Sequence, residues 1–353
     1  MLNINSLLTE MPELRYEPNP SFGSVHAPVM LWFDIKKGQE VPDKVTIEPF
    51  GDTSLSPFCS TLHYGQSIFE GMKAYRLSEN EVGVFRPDLH AKRFSHSASK
   101  MAMTKFNPEL FLECISTFVK ACKGYVPNEP GHSLYLRPLL MADDPVIKVR
   151  ASDSYRFMIM ASIVGPYFKN KKKGSRVLIN KTFIRAFPGG TGEAKTSANY
   201  ALSLNALEHA YANDFDQVLY VDALKKEKIE ELGGMNFFMV KNGEIYTPRL
   251  DGQILHGVTR KSVIEIAGKL GIPCHETDIL LSDLTSPDVS EVFASGTAAS
   301  IAPLSEIGIQ ESIEHPIEIL KFSDHTLSDK FLSYLTDTHF GRTEMSEIWL
   351  KKF

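Results

Sequence analysis

The sequence predicts an α+β, or irregular α/β, fold that is divided into two domains with two sheets. Its 353 residues amount to more than two domains of about 150 residues each. Strand-like and helix-like segments are mixed along the chain without the regular alternation of a parallel βαβ protein. A Gly-Pro pair and a lysine-rich run at 165–174 separate two apolar, strand-like segments, and we interpret this stretch as a domain linker.

In the first half of the chain, two strands and one helix have clear patterns. Segments 29–35 and 133–140 are interpreted as extended strands because of their apolar composition. Segment 87–103 predicts a helix, since Pro87 suits a first-turn position and apolar residues recur near helical spacing.

The second half contains stronger signals. Segment 201–211 predicts an amphipathic helix, and the short apolar run 217–221 predicts a buried strand. A Lys-Asn-Gly turn between 237–240 and 244–246 is typical of a β-hairpin. Apolar residues at helical spacing then predict a helix that stops at Gly271.

Composition and charge exclude several classes of protein. A hydrophobic fraction of 43% and a charged fraction of 23% are those of a globular chain. The net charge of −5 gives no attraction to nucleic acid or anionic lipid. The first twenty residues lack the basic and apolar regions of a signal peptide. The apolar window 157–164 is about half of a membrane span. The four cysteines include no CxxC pair, so we expect a soluble, cytoplasmic protein with reduced thiols.

The segment 188–200, PGGTGEAKTSANY, is the strongest chemical signal, and it allows two kinds of chemistry. A phosphate-binding P-loop requires a final glycine before its lysine, but Ala194 occupies that position. The second possibility is that Lys195 forms a Schiff base with a carbonyl compound, for which small neighbours leave room. A lysine that serves only solubility remains a third interpretation. The eleven histidines contain no HxxxH or HExxH pattern, so no metal site is predicted.

Four motifs together are more specific than any one of them. Lys195 lies in GGTGEAKTSANY, and the chain also contains FEGMKAYR at 69–76, FRPDLHAKRF at 85–94 and HGVTR at 256–260. With these motifs the sequence resembles the branched-chain amino acid aminotransferases, which are pyridoxal 5'-phosphate (PLP) enzymes of fold type IV. The resemblance extends from about residue 22 to beyond residue 303.

The resemblance implies an architecture and a reaction. It implies a smaller N-terminal α/β domain over 1–165, a linker over 166–174, and a larger C-terminal PLP-binding domain over 175–353 with a β-barrel-like sheet. The active site is expected in the cleft between the domains. The implied reaction is the reversible transfer of an amino group between L-leucine, L-isoleucine or L-valine and 2-oxoglutarate. The family also implies a homodimer.

The resemblance assigns roles toward the cofactor ring. Lys195 would be the Schiff-base lysine and would move the proton of the reaction. Glu231 would keep the ring nitrogen protonated, which the electron-sink chemistry of the cofactor requires. Tyr200 would bond the phenolic oxygen of the ring, and Arg185 would be a further arginine on the cofactor side.

The cofactor phosphate requires fixed donors. By resemblance, Arg93 would bind it through its guanidinium group. The backbone amides of Val258 and Thr259 would contribute because they open a predicted helix. Thr297, in ASGTAAS, would add a hydroxyl at what we expect to be a junction between a turn and a helix.

The substrate pocket must accept an apolar side chain and also the second carboxylate of 2-oxoglutarate. Arg137 follows Tyr135 by two positions, so both side chains would project to the same side of a strand, with Arg137 bound to that carboxylate. Lys73 would support this role, and backbone amides near Thr297 and Ala298 would bind the α-carboxylate. The resemblance assigns the aromatic wall of the pocket to Phe22, Tyr64, Phe69 and Tyr135.

The chain departs from the family at a few positions. Ala299 and Ala302 occupy the positions of a CxxC redox pair found in some relatives, so no thiol switch is predicted there. His256 stands where close relatives often have proline. Gly234 replaces a threonine that lies next to the cofactor in some members, which would remove one hydrogen bond.

Other functions remain open at this point. A D-amino acid aminotransferase or an aminodeoxychorismate lyase would share the lysine and the glutamate but would require different pocket walls. FEGMK and LYLRP favour the branched-chain pocket. A metabolite-binding module without catalysis would not require the lysine, yet every catalytic position of the family is filled.

Overall fold

The computed structural model describes residues 2–4, 20–166 and 174–353. Contacts divide the chain into two compact units. The first comprises Met1–Tyr167, Ala194–Ala198 and Thr336–Phe353, and the second comprises Phe168–Glu193 and Asn199–Leu335.

Strands and helices are mixed in both units, as predicted. The described strands are β1 (Leu2–Ile4), β2 (Val25–His26), β3 (Val29–Lys36), β4 (Val45–Pro49), β5 (Ser67–Phe69), β6 (Met72–Ser78), β7 (Glu81–Phe85), β8 (Ser133–Ala142), β9 (Ser154–Val164), β10 (Ser175–Asn180), β11 (Gln217–Val221), β12 (Ile229–Leu232), β13 (Asn236–Lys241), β14 (Glu244–Pro248), β15 (Cys274–Thr277), β16 (Val289–Gly296), β17 (Ser300–Gln310), β18 (Glu318–Lys321) and β19 (Leu350–Lys352). The described α-helices are α1 (Ser60–Tyr64), α2 (Pro87–Lys100), α3 (Pro108–Cys122), α4 (Ser197–Ala212), α5 (Val258–Lys269), α6 (Thr326–His339) and α7 (Glu344–Trp349).

The first unit is built on one mixed sheet. Its strand order is β1-β4-β3-β9-β8-β6-β7-β19, with β2 added to β9 and β5 added to β8. All pairings except β1 with β4 are antiparallel. One face of the sheet packs with α2 and α3 around a core rich in phenylalanine, including Phe94, Phe106, Phe111 and Phe157. Alternate residues of β6 and β8 therefore point to the opposite face, where polar and aromatic side chains are found.

The second unit contains a closed barrel. Strands β12, β11, β10, β17, β16 and β13 follow one another, and the pairing of β12 with β13 closes the ring. Strand β10 is parallel to both of its neighbours, β11 and β17. Apolar side chains fill the core of this unit, among them Val177, Leu219, Phe237 and Val292. This agrees with the predicted barrel-like sheet.

Most predicted elements are present, with shifts at their ends. Strand β11 has the predicted bounds, and the hairpin of β13 and β14 turns at Asn242 and Gly243, whose φ angles are 52° and 77°. Helix α2 ends three residues before the predicted end because Ala102 has a left-handed φ of 53°, which stops helical hydrogen bonding. Helix α4 begins at Ser197, four residues before the predicted start.

The two units differ from the predicted domains in two places. Strand β19 pairs with β7, so the C-terminal residues belong to the first unit. The segment Ala194–Ala198 also belongs to the first unit, because Thr196 forms a bridge with Ile68 of β5. The sequence assigns both segments to the C-terminal domain, because pairing between distant residues leaves no local pattern. The predicted linker falls largely on 167–173, which lie outside the described residues.

Among the described residues, none of the helices combines the length and the apolar character required to cross a bilayer.

Candidate active site

Lys195 lies in a segment that hydrogen bonds fix to the first unit. The amide of Phe69 donates to the carbonyl of Lys195 at 3.0 Å, and the amide of Lys195 donates to Ser97 Oγ of α2 at 2.9 Å. The hydroxyl of the fully buried Thr196 donates to the carbonyl of Ser67 at 2.7 Å. Hydrogen bonds therefore hold the backbone of Lys195 and of its neighbour, and the lysine side chain extends from this fixed backbone.

The amine of Lys195 lies beside an aromatic ring. Its Nζ atom is 4.9 Å from the ring centroid of Phe69, close enough for a cation–π contact. Phe69 belongs to the FEGMK motif and is the last residue of β5. Two of the four motifs that suggested the family thus meet at the lysine, although the sequence separates them widely.

Arg93 lies on the buried side of α2 and pairs with a carboxylate. Its Nε donates to Glu70 Oε1 at 2.6 Å, and its Nη2 donates to Glu70 Oε2 at 2.8 Å. The ring of His90 contacts the same carboxylate through Nδ1 at 2.6 Å. Glu70 is 0% exposed. Burial opposes its charge, but Arg93 and His90 hold the pKa of Glu70 well below its usual range.

Arg137 and three aromatic rings form a contiguous wall on the first sheet. Arg137 Nη2 donates to the Tyr135 hydroxyl at 3.1 Å, as expected from side chains two positions apart on one strand. The guanidinium carbon of Arg137 is 4.7 Å from the ring centroid of Phe69. The ring of Phe22 meets Tyr135 edge-on at 4.9 Å. Gly71 is required here, because a Cβ atom at that position would lie 1.9 Å from the Tyr135 hydroxyl.

Lys73 lies opposite Tyr135 in the pairing of β6 with β8, so it shares the face of the aromatic wall. It is buried, and this burial lowers the pKa of its amine to about 8. His339 is buried close to it, and burial followed by the charge of Lys73 lowers the pKa of this imidazole to about 3. His339 is accordingly neutral and stacks on Tyr75 with ring centroids 4.5 Å apart.

In the second unit, Glu231 is the centre of a buried polar cluster. Arg185 Nη2 lies 2.8 Å from Glu231 Oε1, and the amide of Leu255 donates to the same oxygen at 3.0 Å. Asn236 Nδ2 donates to Oε2 at 2.7 Å, since the tight hairpin of β12 and β13 pairs these two residues. The carboxylate of Glu231 therefore accepts from three donors, one of them a guanidinium group, and these contacts fix its position.

Arg185 links this carboxylate to the glycine-rich loop. Its Nη2 donates to the carbonyl of Gly192 at 3.2 Å and also to the carbonyl of Gln253. Gly192 has no room for a side chain, because a Cβ atom would lie 2.2 Å from the Gln253 carbonyl oxygen. The loop that leads to Lys195 is thereby attached to the arginine that orients Glu231.

Helix α5 begins next to Glu231. Its N-terminal flanking residue, Gly257, would clash with Asn236 Oδ1 at 1.9 Å if it had a Cβ atom. The first turn contains no acidic residue, and both Val258 and Thr259 are buried there. The amides of a first helical turn have no partner within the helix, so this end of α5 is suited to an anion.

The expected junction of a turn with a helix at Thr297 is wrong. Thr297 and Ala298 lie at the tip of the hairpin between β16 and β17, whose last described pair is Gly296 with Ser300. Ser300 has a positive φ of 61°, which allows the tight reversal. The strand ladder satisfies the backbone on both sides, so no helix follows.

The remaining predicted residues are placed as follows. Tyr64 is in α1, is 43% exposed and makes a ring contact with His63 at 6.1 Å. Tyr200 is half-buried in the first turn of α4, where its carbonyl accepts from Ser203 Oγ at 2.8 Å. The structure thus joins Phe22, Phe69, Tyr135 and Arg137 directly, and it joins Glu231 with Arg185.

Sequence reasoning missed several residues that hold the predicted ones. Glu70 and Gly71 lie within the FEGMK motif, and His90 lies in the same helix as Arg93, so their presence in motifs was the available signal. Asn236 had no such signal beyond its position five residues after Glu231. Glu70 and Asn236 contact Arg93 and Glu231 through their side chains, and His90 contacts Glu70. Gly71 acts by leaving space for the Tyr135 hydroxyl. Local sequence patterns do not encode these contacts.

The structure also shows the surroundings of the positions at which the chain departs from the family. His256 Nε2 lies 3.7 Å from Glu193 Oε2, so protonated His256 forms an ion pair with the glycine-rich loop. Gly234 is exposed, and nothing lies within 4 Å of a Cβ atom built there. Ala299 and Ala302 are both buried. Across the described parts of the chain, no cluster of three or more His, Cys, Asp or Glu residues could hold a metal ion.

The residues fit a phosphorylated pyridine cofactor. The first unit supplies an amine and a buried arginine, and the second unit supplies a carboxylate that accepts from three donors and an uncapped helix end. Within the described residues, the buried atoms Arg185 Nε and Ser295 Oγ have no hydrogen-bond partner in the protein. These features define a class of enzyme that uses a lysine together with PLP.

Comparison with known proteins supports this class. Residues 67–307 match the family described as amino-transferase class IV. Branched-chain-amino-acid transaminase 1 of Bacillus subtilis (strain 168) is 38% identical over 356 residues, which cover 98% of this chain and 99% of that protein.

Two solved structures are also similar. The branched-chain aminotransferase of Thermoproteus uzoniensis with norvaline has a TM-score of 0.74 at 27% identity, and the match covers 92% of this chain and 99% of that one. The T.th. branched-chain amino acid aminotransferase in complex with N-(5'-phosphopyridoxyl)-L-glutamate has a TM-score of 0.71 at 27% identity, and the match covers 91% of this chain and 97% of that one.

The chain belongs to the class IV aminotransferases. It is a PLP-dependent transaminase of fold type IV, and the predicted family, fold, enzyme class and cofactor are confirmed. The roles assigned to individual residues stay predictions.

Proposed function

We propose that the enzyme transfers the amino group reversibly between L-leucine, L-isoleucine or L-valine and 2-oxoglutarate, giving the branched-chain 2-oxo acid and L-glutamate. The observation that carries this proposal is the position of the Arg137 guanidinium against the rings of Phe69 and Tyr135. Two relatives named as branched-chain aminotransferases, whose matches cover 98% and 85% of this chain, support it as well.

One wall can serve two chemically different substrates. Phe22, Phe69 and Tyr135 offer aromatic surface to a branched aliphatic side chain. Arg137 offers a planar donor group to the distal carboxylate of 2-oxoglutarate or glutamate. Lys73, on the same face of the sheet, adds a positive charge for that carboxylate.

The reaction needs a base and a fixed negative charge. We assign the first role to Lys195, whose amine would hold the cofactor and would move the proton at the substrate α-carbon. We assign the second role to Glu231, which holds a proton on the ring nitrogen. PLP, when bound, supplies the electron sink for the bond to the α-carbon.

Other residues would bind the cofactor without taking part in proton transfer. Arg93 and the first-turn amides of Val258 and Thr259 are assigned to the phosphate, together with the Thr297 hydroxyl. Tyr200 is assigned to the phenolic oxygen of the ring. The α-carboxylate of the substrate is assigned to backbone amides near Thr297 and Ala298.

We further propose a cytoplasmic homodimer. Helix α4 exposes three large apolar side chains, Leu202, Leu204 and Tyr211, which a second subunit would cover. All four cysteines are unpaired, which is typical of a reducing compartment. Sedimentation equilibrium measures the mass, and a monomer at micromolar concentration contradicts the dimer.

The role of Lys195 has a direct test. The purified enzyme should be yellow near neutral pH, and borohydride should fix the cofactor to a peptide that contains Lys195. Lys195→Ala should abolish both the fixation and transamination. Lys92→Ala, on the exposed side of α2, is the matched control and should retain both. Transamination at the wild-type rate in Lys195→Ala would contradict the mechanism.

Substrate specificity is tested separately. We expect kcat/KM for leucine, isoleucine and valine to exceed that for D-alanine, and a preference for D-alanine would favour a D-amino acid aminotransferase. Arg137→Ala should reduce kcat/KM for 2-oxoglutarate about tenfold more than that for leucine, because only the dicarboxylate loses a charged partner. Equal losses for both substrates would exclude the role assigned to Arg137.

A further inference from the structure

Glu70 is a buried carboxylate that the reaction itself does not require. It directly follows Phe69, its amide donates to the carbonyl of Pro138 in β8 at 2.9 Å, and its side chain is 0% exposed. Four contacts fix the carboxylate: two from Arg93, one from the His90 ring and one from the amide of Gly71 at 3.1 Å.

The pair with Arg93 is bidentate, and this fixes the plane of the guanidinium group. Nε and Nη2 lie 2.6 and 2.8 Å from the two carboxylate oxygens. A guanidinium group has five N–H donors in a rigid plane, and the pair with Glu70 uses two of them. Because Glu70 is anchored to the sheet, it determines where that plane lies.

His90 completes the arrangement. Burial lowers the pKa of its imidazole, so the ring is neutral, and Nδ1–H donates to Glu70 Oε2 at 2.6 Å. His90 and Arg93 are three positions apart in α2, on the same side of the helix. One turn of helix therefore holds both the arginine and the group that orients its carboxylate partner.

We propose that Glu70 is a positioning residue, which holds the Arg93 guanidinium in the orientation that binds the cofactor phosphate before the cofactor arrives. The proposal rests on the assignment of Arg93 to the phosphate in the proposed function. Without Glu70, a buried guanidinium would have lost its counterion and would turn toward water. With Glu70, the guanidinium group is already oriented in the folded protein, so phosphate binding does not have to order this side chain.

The test separates phosphate recognition from general damage. Full-length apoenzyme is titrated with PLP and with pyridoxal, which lacks the phosphate, and the ratio of the pyridoxal dissociation constant to that of PLP measures the contribution of the phosphate. We expect Glu70→Gln to lower this ratio about tenfold, since the amide keeps only one acceptor for Arg93 and loses the charge. The ³¹P chemical shift of the bound cofactor should change as well.

Control variants make each outcome decisive. Asp34→Asn breaks another arginine–carboxylate pair on the same sheet, with Arg156 at 2.7 Å, and should leave the ratio within about twofold of wild type. Arg93→Met should lower the ratio further than Glu70→Gln. If Arg93→Met leaves it unchanged, the phosphate assignment in the proposed function fails. If only Glu70→Gln leaves it unchanged, the positioning role fails.

A second variant covers the case in which Glu70→Gln does not fold. His90→Gln leaves the pair between Glu70 and Arg93 in place but removes the imidazole that fixes the carboxylate. We expect a ratio about threefold below wild type, with pyridoxal affinity nearly unchanged. A parallel loss of affinity for PLP and pyridoxal in either variant would show a merely structural role and would overturn the proposal.

Discussion

Glu230, next to the proposed ring-nitrogen carboxylate, should make the stability of the enzyme depend on pH. It is 0% exposed, and within the described residues neither of its carboxylate oxygens has a hydrogen-bond partner. Burial raises the pKa of Glu230 to about 8, with Arg185 opposing the shift and Glu231 adding to it. A protonated carboxyl group is therefore the form that the folded protein accommodates at neutral pH.

The sign and the size of the effect follow from this shift. Between the ordinary pKa of 4.5 and the folded value of about 8, the folded state binds one more proton than the unfolded state. The contribution of Glu230 to the free energy of unfolding is therefore fully present below pH 4.5. It falls as the pH rises, by up to about 1.4 kcal/mol per pH unit. Between pH 6 and pH 8.5 the free energy of unfolding should decrease by about 2.5 kcal/mol through this group alone.

Glu230→Gln tests this reasoning because glutamine imitates the neutral acid at every pH. Urea unfolding of the wild type and the variant at pH 6 and pH 8.5 gives the free energies of unfolding. The free energy of unfolding of the variant minus that of the wild type should be about 2 to 3 kcal/mol larger at pH 8.5 than at pH 6. Glu227→Gln, at an exposed position nearby, controls for the change in net charge. A difference that is the same at both pH values would refute a neutral, buried Glu230.

Three further predictions concern the proposed site. The amine of Lys73, with a pKa of about 8, is charged below that pH. The ratio of kcat/KM for 2-oxoglutarate to that for a branched-chain oxo acid should therefore fall above pH 8, and a pH-independent ratio would exclude Lys73 from the carboxylate site. Gly71→Ala would place Cβ 1.9 Å from the Tyr135 hydroxyl, so kcat/KM should fall at least about tenfold, and an unchanged value would mean that Tyr135 is dispensable. Asn236→Ala removes the 2.7 Å hydrogen bond to Glu231. This loss should lower kcat about tenfold and should change how the absorbance of the bound cofactor depends on pH. A spectrum like that of the wild type would contradict the assigned role of Glu231.

The parts of the fold that can be predicted well from the sequence are those with local causes. An apolar run specifies strand β11, and an Asn-Gly turn specifies the hairpin of β13 and β14, each within a few residues. The pairing of β19 with β7 joins residues far apart in the chain, so no local pattern indicates it. The helix expected after Thr297 is wrong because a Gly-Thr-Ala sequence suits both a helix start and a tight strand reversal.

The same distinction applies to the site. Residues of the motifs, such as Lys195, Arg93 and Glu231, can be selected from resemblance to a family. Their partners cannot, because a contact such as that between Asn236 and Glu231 depends on strand register. The neutral state of Glu230 depends on burial, which the two adjacent glutamates in the sequence do not reveal.

The closing strand β19 has a consequence for biosynthesis. While the chain is being made, this edge of β7 has no partner until residues 350–352 have left the ribosome, because Phe85 pairs with Leu350. An open strand edge can pair with another chain, so the nascent first unit is exposed to aggregation until β19 has been made. Chaperones should therefore be needed until β19 has been made, and a fragment that ends before β19 should aggregate more readily than a chain that contains it.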